Sequence, residues 1–178
     1  IYLEGETQLD LEGLEVTANY SNAESEKVTD YIVDDDVFDP TLFDVEQQIP
    51  VVYTHAGLSA TAYFPVIIYG TPVVTVDTGG YSGEWTPDNI VLKLSATHPM
   101  DGITYYYKTD SNPEWTAMSL SMLIISENTS ETYYFKAINS VNIESEPTVG
   151  YTVRRDGVTP DFTLVPSVTQ FTNEDYTV

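Results

Sequence analysis

Asp34, Asp35 and Asp36 stand in a row with Asp39 close behind, and hard oxygen donors at that density are what Ca²⁺ takes as ligands. Adjacent carboxylates repel one another, and a bridging cation would relieve the repulsion. Consecutive residues of a strand or loop point in different directions, however, and the D-x-D-x-D-G spacing of a calcium loop is absent. The run therefore reads as a solvated acidic loop; no cofactor is expected, and Ca²⁺ is the one candidate. The only histidines, His55 beside Gly57 and His98 before Pro99-Met100, read as turn residues. No G-x-S-x-G elbow, P-loop or H-E-x-x-H motif occurs. With 28 Asp and Glu in the chain, some carboxylate pair will fall at glycosidase spacing by chance, so such pairs carry no signal. The expectation is a protein that is not an enzyme.

Aromatic side chains are the second chemical resource. Tyr105-Tyr106-Tyr107, Tyr133-Tyr134, Trp85 and Trp115 could stack on sugar rings if they lay coplanar and exposed. On a strand Tyr105 and Tyr107 share one face and Tyr106 takes the other, so at least one row is core, and core and rim packing is the plainer use of these rings. Tyr106 and Tyr134 are the binding candidates, and Trp115 is expected to cover the core edge. Lys27, Lys93, Lys108 and Lys136 are the residues able to enter intramolecular isopeptide bonds, Lys93 pointing outward by alternation. Asn128-Thr129-Ser130 fits a glycosylation acceptor but reads as a loop. Arg154-Arg155 reads as a contact to an acidic neighbouring domain.

The elements that must position these residues are strands. Leu14, Val16, Ala18 and Tyr20 alternate with polar residues, as do Ala60, Ala62, Phe64, Val66 and Ile68, then Ile90, Leu92, Leu94 and Ala96, and Tyr133, Phe135 and Ala137. Turn signals such as Ala56-Gly57, Gly79-Gly80, Asp101-Gly102 and Asn112-Pro113 punctuate them. Short alternating strands between frequent turns predict an all-β chain of antiparallel sandwiches. The stretch 51–70 is apolar enough to suggest a membrane span, but His55, Gly57, Pro65 and its alternation predict strand, turn and strand.

Charge divides the chain. Residues 1–70 hold 14 acids and 1 base, residues 71–156 hold 11 acids and 5 bases, and the whole carries −22. Such a surface repels nucleic acid and anionic membranes, so neither nucleic-acid binding nor membrane insertion is expected. Without cysteine there are no disulfides and no thiolate chemistry. The charge shift coincides with Gly70-Thr71-Pro72, and a second Thr-Pro stands at Thr159-Pro160 after Arg154-Arg155. The segment 71–91 is echoed by 159–178, with Trp85-Thr86-Pro87-Asp88 answering to Phe171-Thr172-Asn173-Glu174. The expected organisation is a sandwich over 1–69, a second over 70–157, and over 158–178 the first strands of a third repeat, as if cut from an array.

Residues 2–33 resemble the group 3 bacterial immunoglobulin-like domain, whose opening pattern is met by Tyr2, Gly5, Glu6, Leu9, Asp10, Leu11, Gly13, Leu14, Val16, Ala18 and Tyr20, with one additional residue before Leu9. Val51 to Val66 are similar to the later part of that family. Residues 70–156 resemble another bacterial surface Ig-like type found in tandem arrays. The likeness is carried by Trp85-Thr86, Ile90 to Ala96, Asp101-Gly102-Ile103, Tyr105 to Lys108, Trp115, Tyr133 to Asn139 and Asp156. The family's Asp-x-x-Gly-Asn turn is replaced here by Asn139 to Asn142. These resemblances imply Ig-like folds, an extracellular location at a bacterial cell surface or cell wall, and use as spacer or adhesive segments. The partners implied are neighbouring Ig-like domains of the same chain and a host or cell-wall glycan or protein. The alternative is a carbohydrate-binding accessory module of a secreted glycan-degrading enzyme.

Overall fold

A computed structural model describes residues 2–98 and 102–165. The strands run in order β1 (Tyr2–Leu3), β2 (Val16–Asn19), β3 (Ser25–Val28), β4 (Tyr31–Val33), β5 (Gln47–His55), β6 (Leu58–Val66), β7 (Ile68–Tyr69), β8 (Val74–Asp77), β9 (Ile90–Ala96), β10 (Ile103–Thr109), β11 (Thr116–Ala117), β12 (Met122–Ile125), β13 (Thr129–Asn139) and β14 (Tyr151–Arg155). One 3₁₀ turn, Asp35–Val37, interrupts them. The chain is all-β, and every strand pairing is antiparallel except β1 with β7. Each sheet draws its strands from one side of Thr71.

Beyond Thr71, two sheets pack face to face. One has the order β12-β9-β8 and the other β11-β10-β13-β14. Alternation decides what lies between them: Ile90, Leu92 and Leu94 from β9 meet Phe135 from β13 and Val153 from β14, with Ile125 of β12. Leu92, Phe135 and Val153 are fully buried, and each stabilises by roughly 1.5–3 kcal/mol relative to exposure. Tyr105 and Tyr107, which share a face by alternation, close the same core. Burial pushes the phenols of Tyr105 and Tyr133 above their ordinary range. Beyond its strand, β13 keeps pairing through side chains: the Ser145 hydroxyl accepts from the Ala137 N–H (2.9 Å) and the Thr148 hydroxyl from Phe135 N–H (3.1 Å). Asn139 organises the turn at 139–142, its side-chain oxygen accepting from the N–H groups of Val141 and Ile143.

Before Thr71 the sheets are smaller: β1-β7, β2-β3 and β4-β5-β6. Val28, Ile49, Val51, Val66 and Ile68 are buried. Ala56 and Gly57 both take positive φ (50° and 80°), the two-residue hairpin turn that matches strand twist. The expected inward row of β6 is only half buried away: Val66 is covered, but Ala60 and Ala62 are exposed. A cleft of about 360 Å³ lies between that end of the sheet and β2.

Residues 158–165 form no strand. The remaining residues of the expected third repeat, including Phe171 to Glu174, lie outside the described residues, as do Pro99, Met100 and Asp101 of the Asp-Gly-Ile motif. No helix among the described residues is long and apolar enough to cross a membrane.

Candidate functional site

The junction at Thr71 is where the chain concentrates its polar geometry. Asp44 takes a left-handed backbone (φ 59°) and donates its N–H to Ile68 O at 2.8 Å, which aims its side chain past the end of β7. Its Oδ2 lies 2.8 Å from Nδ1 of His98, a residue of the β9 side. A carboxylate only accepts, so Nδ1 carries the shared proton. The Phe43 ring meets the same imidazole edge-on at 5.4 Å. Gly70 passes directly beneath: a Cβ there would stand 2.4 Å from the His98 ring. The Gly70 N–H points at Asp44 Oδ1 (3.4 Å) and the Thr71 N–H donates to Glu4 Oε2 (3.0 Å). Those bonds to Thr71 hold the Glu4 carboxyl below its ordinary range. On the far side Val73 N–H donates to Thr97 Oγ1 (3.0 Å), and Pro72 is fully buried. His98 was expected to be a turn residue. Its backbone does turn, at φ 52°, but its ring is the pin of the junction, which nothing local in the sequence announces.

The acidic loop is placed differently from a ligand set. Asp35 and Asp36 start the 3₁₀ turn and point to solvent with Asp34. Asp39 instead folds its own turn, accepting from Thr41 N–H (2.9 Å) and Thr41 Oγ1–H (2.6 Å), which lowers its carboxyl below the usual range. The Gln47 amide clamps the Asp39 backbone from both sides, accepting at 2.7 Å and donating at 2.9 Å. Among the described residues no three potential ligands converge on a cation position.

Tyr106 and Tyr134 lie on the outer face of the β11-β10-β13-β14 sheet, half-buried, with Lys108 and Lys136 between them in the registers Tyr106↔Lys136 and Lys108↔Tyr134. Trp115 joins this outer face rather than the core edge where it was expected. The Lys108 ammonium sits 4.9 Å from the Trp115 ring centre and 5.7 Å from that of Tyr134; the Lys136 ammonium sits 4.8 Å from Trp115 and 5.6 Å from Tyr106. The reason is electrostatic: ring faces attract cations, and Trp115 enters just before β11, beside the two lysines. Glu144 completes the charge balance of buried Lys136 at 2.7 Å. The Tyr134 hydroxyl donates to Asp110 (3.1 Å), which pushes that phenol up.

The other expectations sort quickly. Lys27 pairs with Glu15 at 2.6 Å, and Lys93 is exposed between Met122 and Asp77. Among the described residues, neither Arg154 nor Arg155 pairs with an acidic side chain. Arg154 donates to Gly83 O (2.8 Å) and Arg155 to Asn128 Oδ1 (3.2 Å), so both fasten loops to β14. The Tyr81 hydroxyl adds a third fastening, accepting from Arg154 N–H at 2.8 Å. Asn128 also receives the Gly157 N–H, which uses its side chain structurally. His55 stands at the mouth of the cleft, its ring T-shaped against Tyr20 at 5.5 Å and stacked on Tyr53 at 6.3 Å. The Tyr20 hydroxyl donates to Glu26, which pushes that phenol far up, and lies 3.3 Å from that of Tyr53.

No family model matches the chain, and no curated protein matches it significantly.

Proposed function

We propose that the chain is a non-catalytic extracellular segment of a bacterial cell-surface protein, in which tandem Ig-like modules act as a spacer or adhesion segment. The junction carries this reading. A flexible tether would need no more than a polar linker; here Asp44, Phe43, Gly70 and Glu4 on one side engage His98 and Thr71 on the other. Proline at 72 removes a donor and fixes φ, which stiffens the same link. A spacer works by transmitting position, and a pinned seam does that. The acidic surface keeps an extended chain solvated. The resemblance of 2–33 and 70–156 to bacterial surface Ig-like domains supplies the cellular setting.

The carbohydrate-binding reading draws on the outer face of the second unit, where Tyr106, Tyr134 and Trp115 gather. Against it stands the use of their rings: Lys108 or Lys136 lies over each of them. A sugar stacking on these rings would have to displace the ammonium groups that lie over them. A glycan array on the whole chain separates the two. The spacer reading expects no hit that depends on these rings; a hit abolished by Tyr106→Ala would replace it with the glycan-binding reading.

A further inference from the structure

Residues 47–76 contain no Asp, Glu, Lys or Arg, in a chain whose net charge is −22. That neutral stretch includes β6, the edge of the β4-β5-β6 sheet. Among the described residues, no backbone bond reaches β6 from any strand but β5. Edge strands are ordinarily guarded by lysine, proline, a bulge or extreme shortness. β6 is 9 residues long, and over 58–64 (LSATAYF) it has none of these guards. Its surroundings are apolar: Leu58 is 79% exposed, Tyr63 63%, and Ile32 across the sheet 70%.

The hairpin fixes which groups face outward. With a two-residue turn, the flanking pair His55↔Leu58 exchanges hydrogen bonds, and every second pair after it does the same. Ser59, Thr61 and Tyr63 therefore turn their N–H and C=O groups to the free edge. The prolines agree with this phase: Pro50 and Pro65 both fall at non-exchanging pairs, where no inward N–H is missed. Pro50 O is free to accept from Asp34 N–H (3.0 Å) on the opposite side of β5.

We infer that β6 pairs antiparallel with β6 of a second copy about a two-fold axis at Thr61. In that register Thr61 exchanges bonds with its own counterpart, and Ser59 with Tyr63 of the other copy. Leu58 lies across from Phe64. Pro65, the one outward position without a donor, falls opposite the turn glycine Gly57, where no ladder bond is needed. The small side chains of Ala60 and Ala62 and the adjoining cleft leave room for the incoming Leu58 and Phe64. Charge favours this partner surface: in so acidic a chain most approaches of two copies set carboxylates against carboxylates, and the strip 47–76 is free of them. The pairing needs only the β6 edge and stands apart from the spacer reading.

Analytical ultracentrifugation of the whole chain, from low micromolar to sub-millimolar concentration, tests it in about 0.05 M and about 0.5 M salt, where the Debye length shrinks from well above 10 Å to a few ångströms. A monomer–dimer equilibrium that tightens with salt is expected, because salt screens the repulsion and leaves the neutral strip untouched. The amides of Ser59, Thr61 and Tyr63 should gain protection from hydrogen exchange as concentration rises. Thr61→Pro removes the central outward donor at an edge position that tolerates proline, and should abolish the dimer. Should that variant fail to fold by circular dichroism, Thr61→Lys sets two like charges on the axis and should abolish it too. A chain monomeric throughout, a dimer retained in the folded variants, or open-ended assembly in place of a closed dimer would each overturn the proposal.

Discussion

Asp44 Oδ2 and His98 Nδ1, 54 positions apart in the chain, meet at 2.8 Å across the Thr71 junction, with the Gly70 backbone passing under the imidazole. Both side chains are largely shielded, at 14% and 28% exposed. A double-mutant cycle with Asp44→Asn and His98→Ala should return a coupling of about 1 kcal/mol, above that of an exposed pair. Chemical denaturation of the four proteins checks it; additivity would mean that the contact holds nothing.

Gly70→Ala is the sharper probe of the same place. The added Cβ would stand 2.4 Å from the His98 ring, so the ring must leave its seat or the backbone must move. A cost of roughly 1–3 kcal/mol is expected. The loss should be local: amide shifts should move around Asp44, Thr71 and His98, while Leu92 and Phe135, remote from the junction, keep theirs.

The junction should also loosen in acid. Hydrogen bonds from Thr71, the backbone one foremost, hold the Glu4 carboxyl below its ordinary 4.5. A depressed folded value means that the stabilisation is fully present above the unfolded pKa and is lost as pH falls through the folded one. The Thr71 amide should therefore titrate with a midpoint below 4.5, and Glu4→Gln should remove that titration. A midpoint above the ordinary value would contradict the bond.

The two sides of Thr71 have separate cores, so they should fail separately. Phe135 is fully buried among Ile90, Leu92 and Val153, and Phe135→Ala should cost about 3–5 kcal/mol. Amide exchange should then accelerate through β8–β14, while Ile49, Val51 and Val66 keep their protection. Uniform acceleration in both halves would make the chain one cooperative unit.

Trp115 should prove structural. With Lys108 and Lys136 both within 5 Å of its ring centre, Trp115→Ala should destabilise the second half by about 2 kcal/mol. It should also leave buried Lys136 with Glu144 and the Tyr106 ring. Circular dichroism during denaturation checks the loss of stability, because Trp85, the tryptophan left in the variant, is exposed and its fluorescence should report little.

What the sequence revealed follows from what alternation can encode. Ile90, Leu92 and Leu94, and Phe135 and Ala137, turn inward as their spacing required, because in a two-sheet core the covered face is the apolar one; for Tyr105 and Tyr107 spacing gave only that they share a face. Ala60 and Ala62 show the limit: alternation says which residues share a face, and only the packing of β2 decides whether that face is covered. Trp115, Arg154 and Arg155 were misplaced for a related reason. Their positions depend on Lys108 and Lys136, on Gly83 and on Asn128, partners that sheet register and loop paths bring near. His98 lay furthest from reach, since its partner Asp44 belongs to the other half of the chain.

Residual dipolar couplings measured separately for residues 2–69 and 74–155 in one weakly aligned sample test the pinned junction most directly. The account predicts that a single alignment tensor fits both sets, and that Gly70→Ala splits it into two of unequal magnitude. Two unequal tensors already in the unaltered chain would contradict it, making Thr71 a free hinge and the chain a flexible tether.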